Sequence, residues 1–370
     1  MVQNILLFIP FGFLGYFSLI YKSSWIKKIA IVFLGAGLST SVEFLQIFSP
    51  LRYPALADII FNTIGTIVGL ALGILLKKSV LEFKSHPRSR KFIDAPSAFP
   101  AAVFLILVVG GCWEPFNFSL DVGNVWSHIK PLLHHPFTFS LPNDDVFACI
   151  QFILATLFVC RVLQEVEWRS IKSPALIGCI LMMAFGIFLE GTQCIIQSRM
   201  PEVQDALVAM AGTLIGAVIF HFPGFRERPI IWGSAATMGV FASAAVRGLH
   251  PFIFTSTPSN FNWIPFLPQY EKTTAAALGE FLANGMVYFP LGFLLGYFFS
   301  QSKRIPWIAL ALSLSMSLLI EVVQGFVVGR YSDITNTIGA ILGCALGSLV
   351  LTRGWSAYTI YMRQEDDDQV

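Results

Sequence analysis

Long apolar stretches, separated by short polar segments, run along almost the whole chain. A helix that crosses a bilayer needs about 20 mostly apolar residues, so these stretches predict about eleven transmembrane spans. The predicted spans cover residues 4–21, 29–48, 56–76, 98–113, 146–163, 175–196, 204–222, 229–247, 280–300, 306–327 and 333–352. The pattern therefore predicts an all-α fold, a polytopic bundle of transmembrane helices.

Composition supports a membrane protein and argues against a soluble domain, a metal-binding protein and a nucleic-acid-binding protein. Hydrophobic residues make up 55% of the 370 residues and charged residues 12%, about half the charged fraction of a soluble domain. The six cysteines form no Cys-x-x-Cys pair, which favours buried, reduced thiols. The histidines at 128, 134 and 135 lack the spacing of a metal-binding motif. We expect no cofactor, no metal, no nucleic-acid partner and no cleavable signal sequence.

Basic residues are distributed unequally between the two sets of loops. Of the 24 lysines and arginines, 18 fall in the loops after spans one, three, five, seven and nine and in the C-terminal tail, which leaves 6 on the other side. Since the basic side of a membrane protein faces the cytoplasm, we expect an extracytoplasmic N-terminus and a cytoplasmic C-terminus. The aromatic loops 114–145 and 248–279 would then lie outside, at the level of the lipid headgroups.

The chain contains a threefold internal repeat of polar residues. In each copy, Glu is followed by Gln after two intervening residues and by Arg after five more. The three sets are Glu43, Gln46 and Arg52; Glu190, Gln193 and Arg199; and Glu321, Gln324 and Arg330. Repeats of this kind indicate duplicated structural units.

Further residues recur around this motif in two or three of the copies. An Asn…Pro-x-Gly sequence opens the first and third copies, with Asn4, Pro10 and Gly12 in one and Asn284, Pro290 and Gly292 in the other. After the Arg come acidic residues, asparagines and glycines: Asp58, Asn62, Gly65 and Gly69; Asp205; Asp333, Asn336, Gly339 and Gly343. By this alignment the third copy has a shorter Arg-to-Asp gap, and the middle copy has lost the first Asn, the Pro and the second Asn.

The repeats define a predicted domain organisation. The first copy occupies 1–78 with three spans, the degenerate second copy 98–222 and the third copy 223–352, the last two each with a leading helix and an aromatic loop. A basic cytoplasmic linker, 79–97, and an acidic cytoplasmic tail, 353–370, complete the chain.

This combination of Asn…Pro-x-Gly, Glu-x2-Gln, Arg, Asp and Asn-x2-Gly-x3-Gly resembles the VanZ-like family of integral membrane proteins. The family is named for a protein associated with low-level teicoplanin resistance. The resemblance implies a role in the cell envelope and does not define a reaction. It places the family's polar residues at Glu43, Gln46, Arg52, Asp58 and Asn62, and at Glu321, Gln324, Arg330, Asp333 and Asn336.

Three physical interpretations of the polar motif remain open from the sequence. The residues could form an interhelical clamp, in which the glycines allow close packing. They could bind a polar headgroup or drug at the outer leaflet, where Arg would suit a phosphate or carboxylate. They could also catalyse acid–base chemistry.

The expected function follows from the resemblance. It is an effect on teicoplanin-type glycopeptide susceptibility, or envelope maintenance, in the bacterial cytoplasmic membrane. The expected partners are membrane lipid and a lipophilic glycopeptide or lipid-linked envelope precursor. A transporter or flippase of an envelope lipid, or an enzyme acting on a lipid-linked precursor, are the alternatives.

Overall fold

The computed structural model describes residues 2–19, 25–46, 54–113, 118–119, 121–134, 145–166, 173–222, 228–270, 274–299 and 303–354. Within these residues the α-helices are α1 (Val2–Leu19), α2 (Trp25–Gln46), α3 (Leu56–Ser85), α4 (Pro87–Asp94), α5 (Ala98–Trp113), α6 (Val122–His134), α7 (Asp145–Glu165), α8 (Pro174–Thr192), α9 (Val203–Phe220), α10 (Pro229–Leu249), α11 (Leu267–Tyr270), α12 (Thr274–Phe298), α13 (Ile305–Gln324) and α14 (Ile334–Leu349). The described residues form no β-strands, only isolated bridges, so the predicted all-α fold is confirmed.

All eleven predicted spans coincide with helices. In the described part of the chain, nine helices are long and apolar enough to cross a membrane. The remaining two predicted spans contain shorter apolar segments, Leu7–Tyr16 and Ala98–Trp113. Large apolar side chains on the spans point outward, including Phe33 at 72% and Trp307 at 74% exposure. A soluble protein rarely exposes so much apolar surface, so the chain is a multi-pass membrane protein.

Residues 1–93, together with 269–277, form one compact unit. Its helices α1, α2 and α3 pack pairwise against one another. Tyr16, Ile31 and Leu70, one from each helix, form a small buried apolar cluster. This three-helix unit contains all of the predicted first copy.

Residues 94–268 and 278–370 form the second compact unit. One of its apolar cores joins α5, α7, α8 and α9 to one side of α12, through stacked and edge-on rings such as Phe104, Phe158 and Phe293. A second core joins α10, α13 and α14 to the other side of α12, around Val240, Leu291 and Ala309. Helix α12 is therefore shared by both cores of this unit.

The same three-helix arrangement occurs three times in the chain, and each time glycines bring two of the helices close together. In the trios α1–α3, α7–α9 and α12–α14, the third helix approaches the first at glycines. A Cβ at these glycines would collide with a backbone carbonyl oxygen: Gly65 with Ile5, Gly212 with Cys149 and Gly343 with Gly285. The same is true one turn later for Gly69, Gly216 and Gly347. Small residues allow membrane helices to approach this closely, and the repeat predicted from sequence is a structural repeat.

Candidate functional site

The Glu of the motif performs the same task in every copy. It lies near the C-terminal end of the second helix of its trio and accepts a hydrogen bond from the backbone N–H twelve residues later. The pairs are Glu43 with Ala55 (2.8 Å), Glu190 with Glu202 (2.8 Å) and Glu321 with Asp333 (2.7 Å). Backbone N–H groups at helix N-termini need such partners, so this carboxylate closes the loop into the third helix.

In the third copy the Glu begins a chain of polar contacts across three helices. Glu321 on α13 also accepts from Asn336 Nδ2 on α14 at 3.0 Å. Asn336 Oδ1 in turn accepts from Asn284 Nδ2 on α12 at 2.6 Å. Glu321 is only 3% exposed, and burial of a carboxylate is tolerated because its oxygens are hydrogen-bonded. The predicted motif residues Asn284, Glu321 and Asn336 are thus brought together.

Asp333 has a different role from the one that the motif alignment predicts. It is the N-cap of α14, and its Oδ1 accepts from the Thr335 backbone N–H at 3.0 Å and from Thr335 Oγ1 at 2.8 Å. Asn262 Nδ2, from the aromatic loop, donates to the same oxygen at 3.2 Å. A side-chain N-cap contributes about 1 kcal/mol, and here it also anchors the loop.

The loop between α13 and α14 is closed by further hydrogen bonds of its own residues. Ser332 Oγ donates to the Glu321 backbone carbonyl at 2.6 Å, and Gln324 Nε2 donates to the Tyr331 carbonyl at 3.3 Å. Gly329 adopts φ 77° in this turn, a left-handed conformation that favours glycine. Gln324 therefore stabilises the loop that carries Arg330.

The Arg of the motif contacts the leading helix of its own copy. Arg330 Nε donates to the His250 carbonyl at 2.9 Å and its Nη2 to the Arg247 carbonyl at 3.4 Å, both at the C-terminal end of α10. In the second copy, Arg199 Nη2 donates to the Gly111 carbonyl at 3.3 Å, near the end of α5. A cation at this position satisfies unpaired carbonyls and interacts favourably with the helix dipole.

We expect Arg330→Lys to loosen the end of α10, because a point ammonium cannot reproduce the two-donor contact of a guanidinium. Hydrogen bonds to charged groups contribute about 1.5–3 kcal/mol, so backbone amides of residues 247–252 should exchange with deuterium at least about tenfold faster. Hydrogen–deuterium exchange of the purified protein measures this effect. Arg353→Lys, at an exposed position, is the control; equal exchange in both variants would contradict the assigned role.

The aromatic loop of the third copy is held along the motif by backbone pairing. Phe254 forms an antiparallel bridge with Val327, and Asn262 forms a parallel bridge with Asp333. The backbone N–H of Phe266 also donates to Thr335 Oγ1 at 2.8 Å. In the second copy, the bridge between Phe118 and Ile196 occupies the equivalent place, so the leading helix, its loop and the motif form one structural unit.

The first copy has a related polar cluster with different residues. Asn4 Nδ2 donates to Asp58 Oδ1 at 2.6 Å, and Asn62 Nδ2 donates to Ser39 Oγ at 2.9 Å. Glu43 and Asn62 are buried, at 5% and 8% exposure. Two predicted site residues are not covered in full: the side chain of Gln46 and the whole of Arg52 lie outside the described residues.

The second copy keeps the backbone contact of its Glu and has no asparagine at the first-helix position of Asn4 and Asn284. Glu190 Oε2 also accepts from Gln193 Nε2 at 2.9 Å. Position 148 is Ala, where α1 and α12 have Asn4 and Asn284, and position 156 is Thr in place of Gly12. Asp205 stands at the position of Asp58 in this copy. The degenerate copy therefore retains the loop closure and lacks the first-helix asparagine of the polar chain.

The contacts change the sequence alignment of the third copy. Because Glu43 contacts the N–H of Ala55 and Glu321 contacts that of Asp333, the two loops have equal length. The partner of the first-helix Asn confirms this register, since Asn4 contacts Asp58 and Asn284 contacts Asn336.

Four residue matches made from sequence are therefore wrong. Asn336 is the counterpart of Asp58, and Ala340 is the counterpart of Asn62. Gly343 and Gly347, rather than Gly339 and Gly343, are the counterparts of Gly65 and Gly69. The shorter Arg-to-Asp gap predicted for the third copy is an effect of aligning by residue type.

Several polar residues of these clusters are absent from the motif alignment. Ser39 and Ser317 precede the Glu by one helical turn in the first and third copies. Their recurrence was therefore visible in the sequence. Ser317 Oγ donates to Thr337 Oγ1 at 3.1 Å. Asn262, Ser332 and Thr335 carried no comparable signal, because their partners are defined only by the folded loop.

A known family matches both of the well-preserved copies. The family model described as VanZ/LLP1 matches residues 1–77 and 233–353, more than half of the chain. The unmatched middle contains the copy that lacks the first-helix asparagine. No match was found among curated proteins or among solved structures. With its repeated trios, its membrane spans and this match, the chain belongs to the VanZ/LLP1 family.

Proposed function

We propose that the chain is a multi-pass protein of the bacterial cytoplasmic membrane that affects susceptibility to teicoplanin-type glycopeptides, or maintains the envelope. It acts at the outer leaflet, through the polar motif of the third copy and the aromatic loop above it. The supporting observation is the Asn262–Asp333 contact, which makes the loop and the polar cluster one structure. The basic-residue bias supports an outer location for this end of the spans.

The aromatic loop suits contact with lipid-like molecules. Residues 251–268 contain no charged side chain. Phe252, Phe254, Trp263 and Ile264 are exposed, with Trp263 at 69%. The rings of Phe261 and Trp263 lie 4.2 Å apart between centroids. Tryptophan and other aromatic residues favour the membrane interface, so this loop would contact acyl chains at the headgroup level.

The buried hydrogen bonds give the motif a supporting role in this proposal. Glu321, Asn336 and Asp333 hold α14 and the loop in place, and the exposed loop residues contact the ligand. A lipophilic glycopeptide or a lipid-linked precursor combines an acyl chain with a polar headgroup. The apolar loop would contact the chain, while the loop's exposed hydroxyl and backbone groups would lie beside the headgroup.

The proposal predicts that Trp263→Ser weakens the protein's effect on growth in teicoplanin. Truncation of an aromatic anchor costs about 1 kcal/mol or more, so the shift in half-inhibitory concentration that the wild type produces should fall about fivefold. The measurement compares a deletion strain complemented with each variant at equal membrane abundance. Trp307→Ser is the matched control, because Trp307 is as exposed (74%) and lies on α13 outside the loop.

The same growth assay with a glycopeptide that has no acyl chain distinguishes direct contact with the drug from envelope maintenance. A defect confined to the acylated compound supports direct contact with the drug, and an equal defect with both supports envelope maintenance. No difference between Trp263→Ser and the wild type for either compound would contradict the loop's role. Labelling of Ser256→Cys by a membrane-impermeant maleimide in intact cells checks the orientation; labelling only after permeabilisation would contradict it.

A further inference from the structure

The polar cluster of the first copy differs from that of the third at two positions of the third helix, and one of the two differences adds a negative charge. Asp58 stands where the third copy has Asn336, and Asn62 stands where it has Ala340. In the contacts that link the three helices, the third copy has the single carboxylate of Glu321, with Asp333 beside it as the N-cap of α14, and the first copy has Glu43 and Asp58. Both substitutions replace a neutral or donor group by an oxygen acceptor.

The orientation of Asp58 follows from its contact with Asn4. In the third copy, Asn336 accepts from Asn284 through Oδ1 and donates to Glu321 through Nδ2. Asp58 accepts from Asn4 through the corresponding Oδ1, which directs its Oδ2 to the place of the Asn336 amide nitrogen. That place faces Glu43, the counterpart of Glu321. By this correspondence with the third copy, a carboxylate oxygen of Asp58 takes the place of the donor opposite Glu43.

Asn62 adds a third acceptor between the same helices. It lies one helical turn after Asp58 on α3, and its Nδ2 donates to Ser39, one turn before Glu43 on α2. Its Oδ1 is buried and has no hydrogen-bond partner among the described residues. An unsatisfied buried acceptor is costly, and it indicates a ligand that donates or that carries positive charge.

We propose that Glu43, Asp58 and Asn62 bind one monovalent cation between α2 and α3, either Na⁺ or the ammonium group of an amine-bearing ligand. Facing carboxylates destabilise each other unless a positive charge lies between them. Hard cations bind carboxylate and amide oxygens, and three such ligands fall short of the six to eight that Ca²⁺ takes. This proposal goes beyond the proposed function and does not depend on it, because it concerns the other compact unit.

The test is thermal unfolding of the purified full chain in NaCl and in choline chloride at equal ionic strength. A ligand that binds only the folded state raises the melting temperature. We expect Na⁺ at high concentration to raise it by about 2–4 °C relative to choline. Methylammonium chloride tests the ammonium source, and a shift with methylammonium alone would assign the site to an amine-bearing ligand.

Asp58→Asn is the decisive variant, because it gives the first copy the chemistry that the third copy already tolerates. It should fold, and it should lose the cation-dependent shift. Asn62→Ala introduces the residue that the third copy has at this position, Ala340, and should reduce the cation-dependent shift. This variant provides the test if Asp58→Asn cannot be purified. Coincident melting curves of the wild type in all three salts, or a full shift retained in either variant, would overturn the proposal; a proton shared by the two carboxylates would then be the explanation.

Discussion

Gly343→Ala is expected to lower the stability of the protein by at least about 3 kcal/mol, at the upper end of the cost of overpacking a core. A Cβ at Gly343 would overlap the Gly285 backbone, both its carbonyl oxygen and its Cα. These atoms belong to a helix backbone and cannot move aside as a flexible side chain would. Helices α12 and α14 would have to separate, and the contacts of Gly292 and Gly347 would open with them.

Thermal unfolding in detergent, followed by intrinsic tryptophan fluorescence, measures this effect. Gly110→Ala is the matched control, because it lies in an apolar helix and nothing is within 4 Å of its would-be Cβ. That substitution should be neutral or stabilising, by up to about 1 kcal/mol, since alanine has the higher helix propensity. Equal melting temperatures for the two variants would show that α12 and α14 do not approach through Gly343.

Glu321→Ala is expected to be nearly as damaging, for a different reason. It removes the acceptor of the buried Asp333 backbone N–H and of the half-buried Asn336 Nδ2. A buried donor left without a partner costs about 1–3 kcal/mol. Since Asn336 is only half-buried and costs less, the loss should be about 2–5 kcal/mol. The loss should also release the aromatic loop, because Asp333 holds Asn262.

Glu321→Gln separates the charge of this residue from its hydrogen bonds. The introduced amide can accept from the Asp333 N–H with its oxygen, but its nitrogen then faces Asn336 Nδ2. The amides of Asn336 and Asn284 must both turn to restore the chain, so we expect a smaller loss of about 1–2 kcal/mol. A loss as large as that of Glu321→Ala would indicate that the negative charge itself is required.

Two measurements check this series. Melting temperatures rank the variants, and hydrogen–deuterium exchange of residues 252–266 reports the release of the loop. Ser315→Ala is the control, since Ser315 lies exposed on the same helix and its Oγ donates to the Ala311 carbonyl one turn earlier. Unchanged exchange in Glu321→Ala would separate the loop from the motif and remove the support for the proposed function.

The motif residues illustrate how far sequence reasoning reached. The recurrence of Glu, Gln and Arg at constant spacing found the repeat, because duplicated units keep the loop lengths that their hydrogen bonds require. Matching Asp333 to Asp58 failed, because residue type was given more weight than the length of the loop. The contact of Glu321 with the Asp333 N–H restores that length. The capping role of Arg330 was also missed, since its carbonyl partners lie 80 and 83 residues away.

The amino-acid sequence by itself determined the helical class, the membrane spans and the threefold repeat. These properties depend on local hydrophobicity and on spacing along the chain, and both can be read without knowing which helices touch. The tertiary structure alone decided which polar groups face one another. Those contacts join different helices, and their register is fixed by glycine packing against a neighbouring backbone. The Glu, Gln, Arg and Asp pattern was visible in the sequence, while the equivalence of Asp58 and Asn336 became apparent only once the helices were packed.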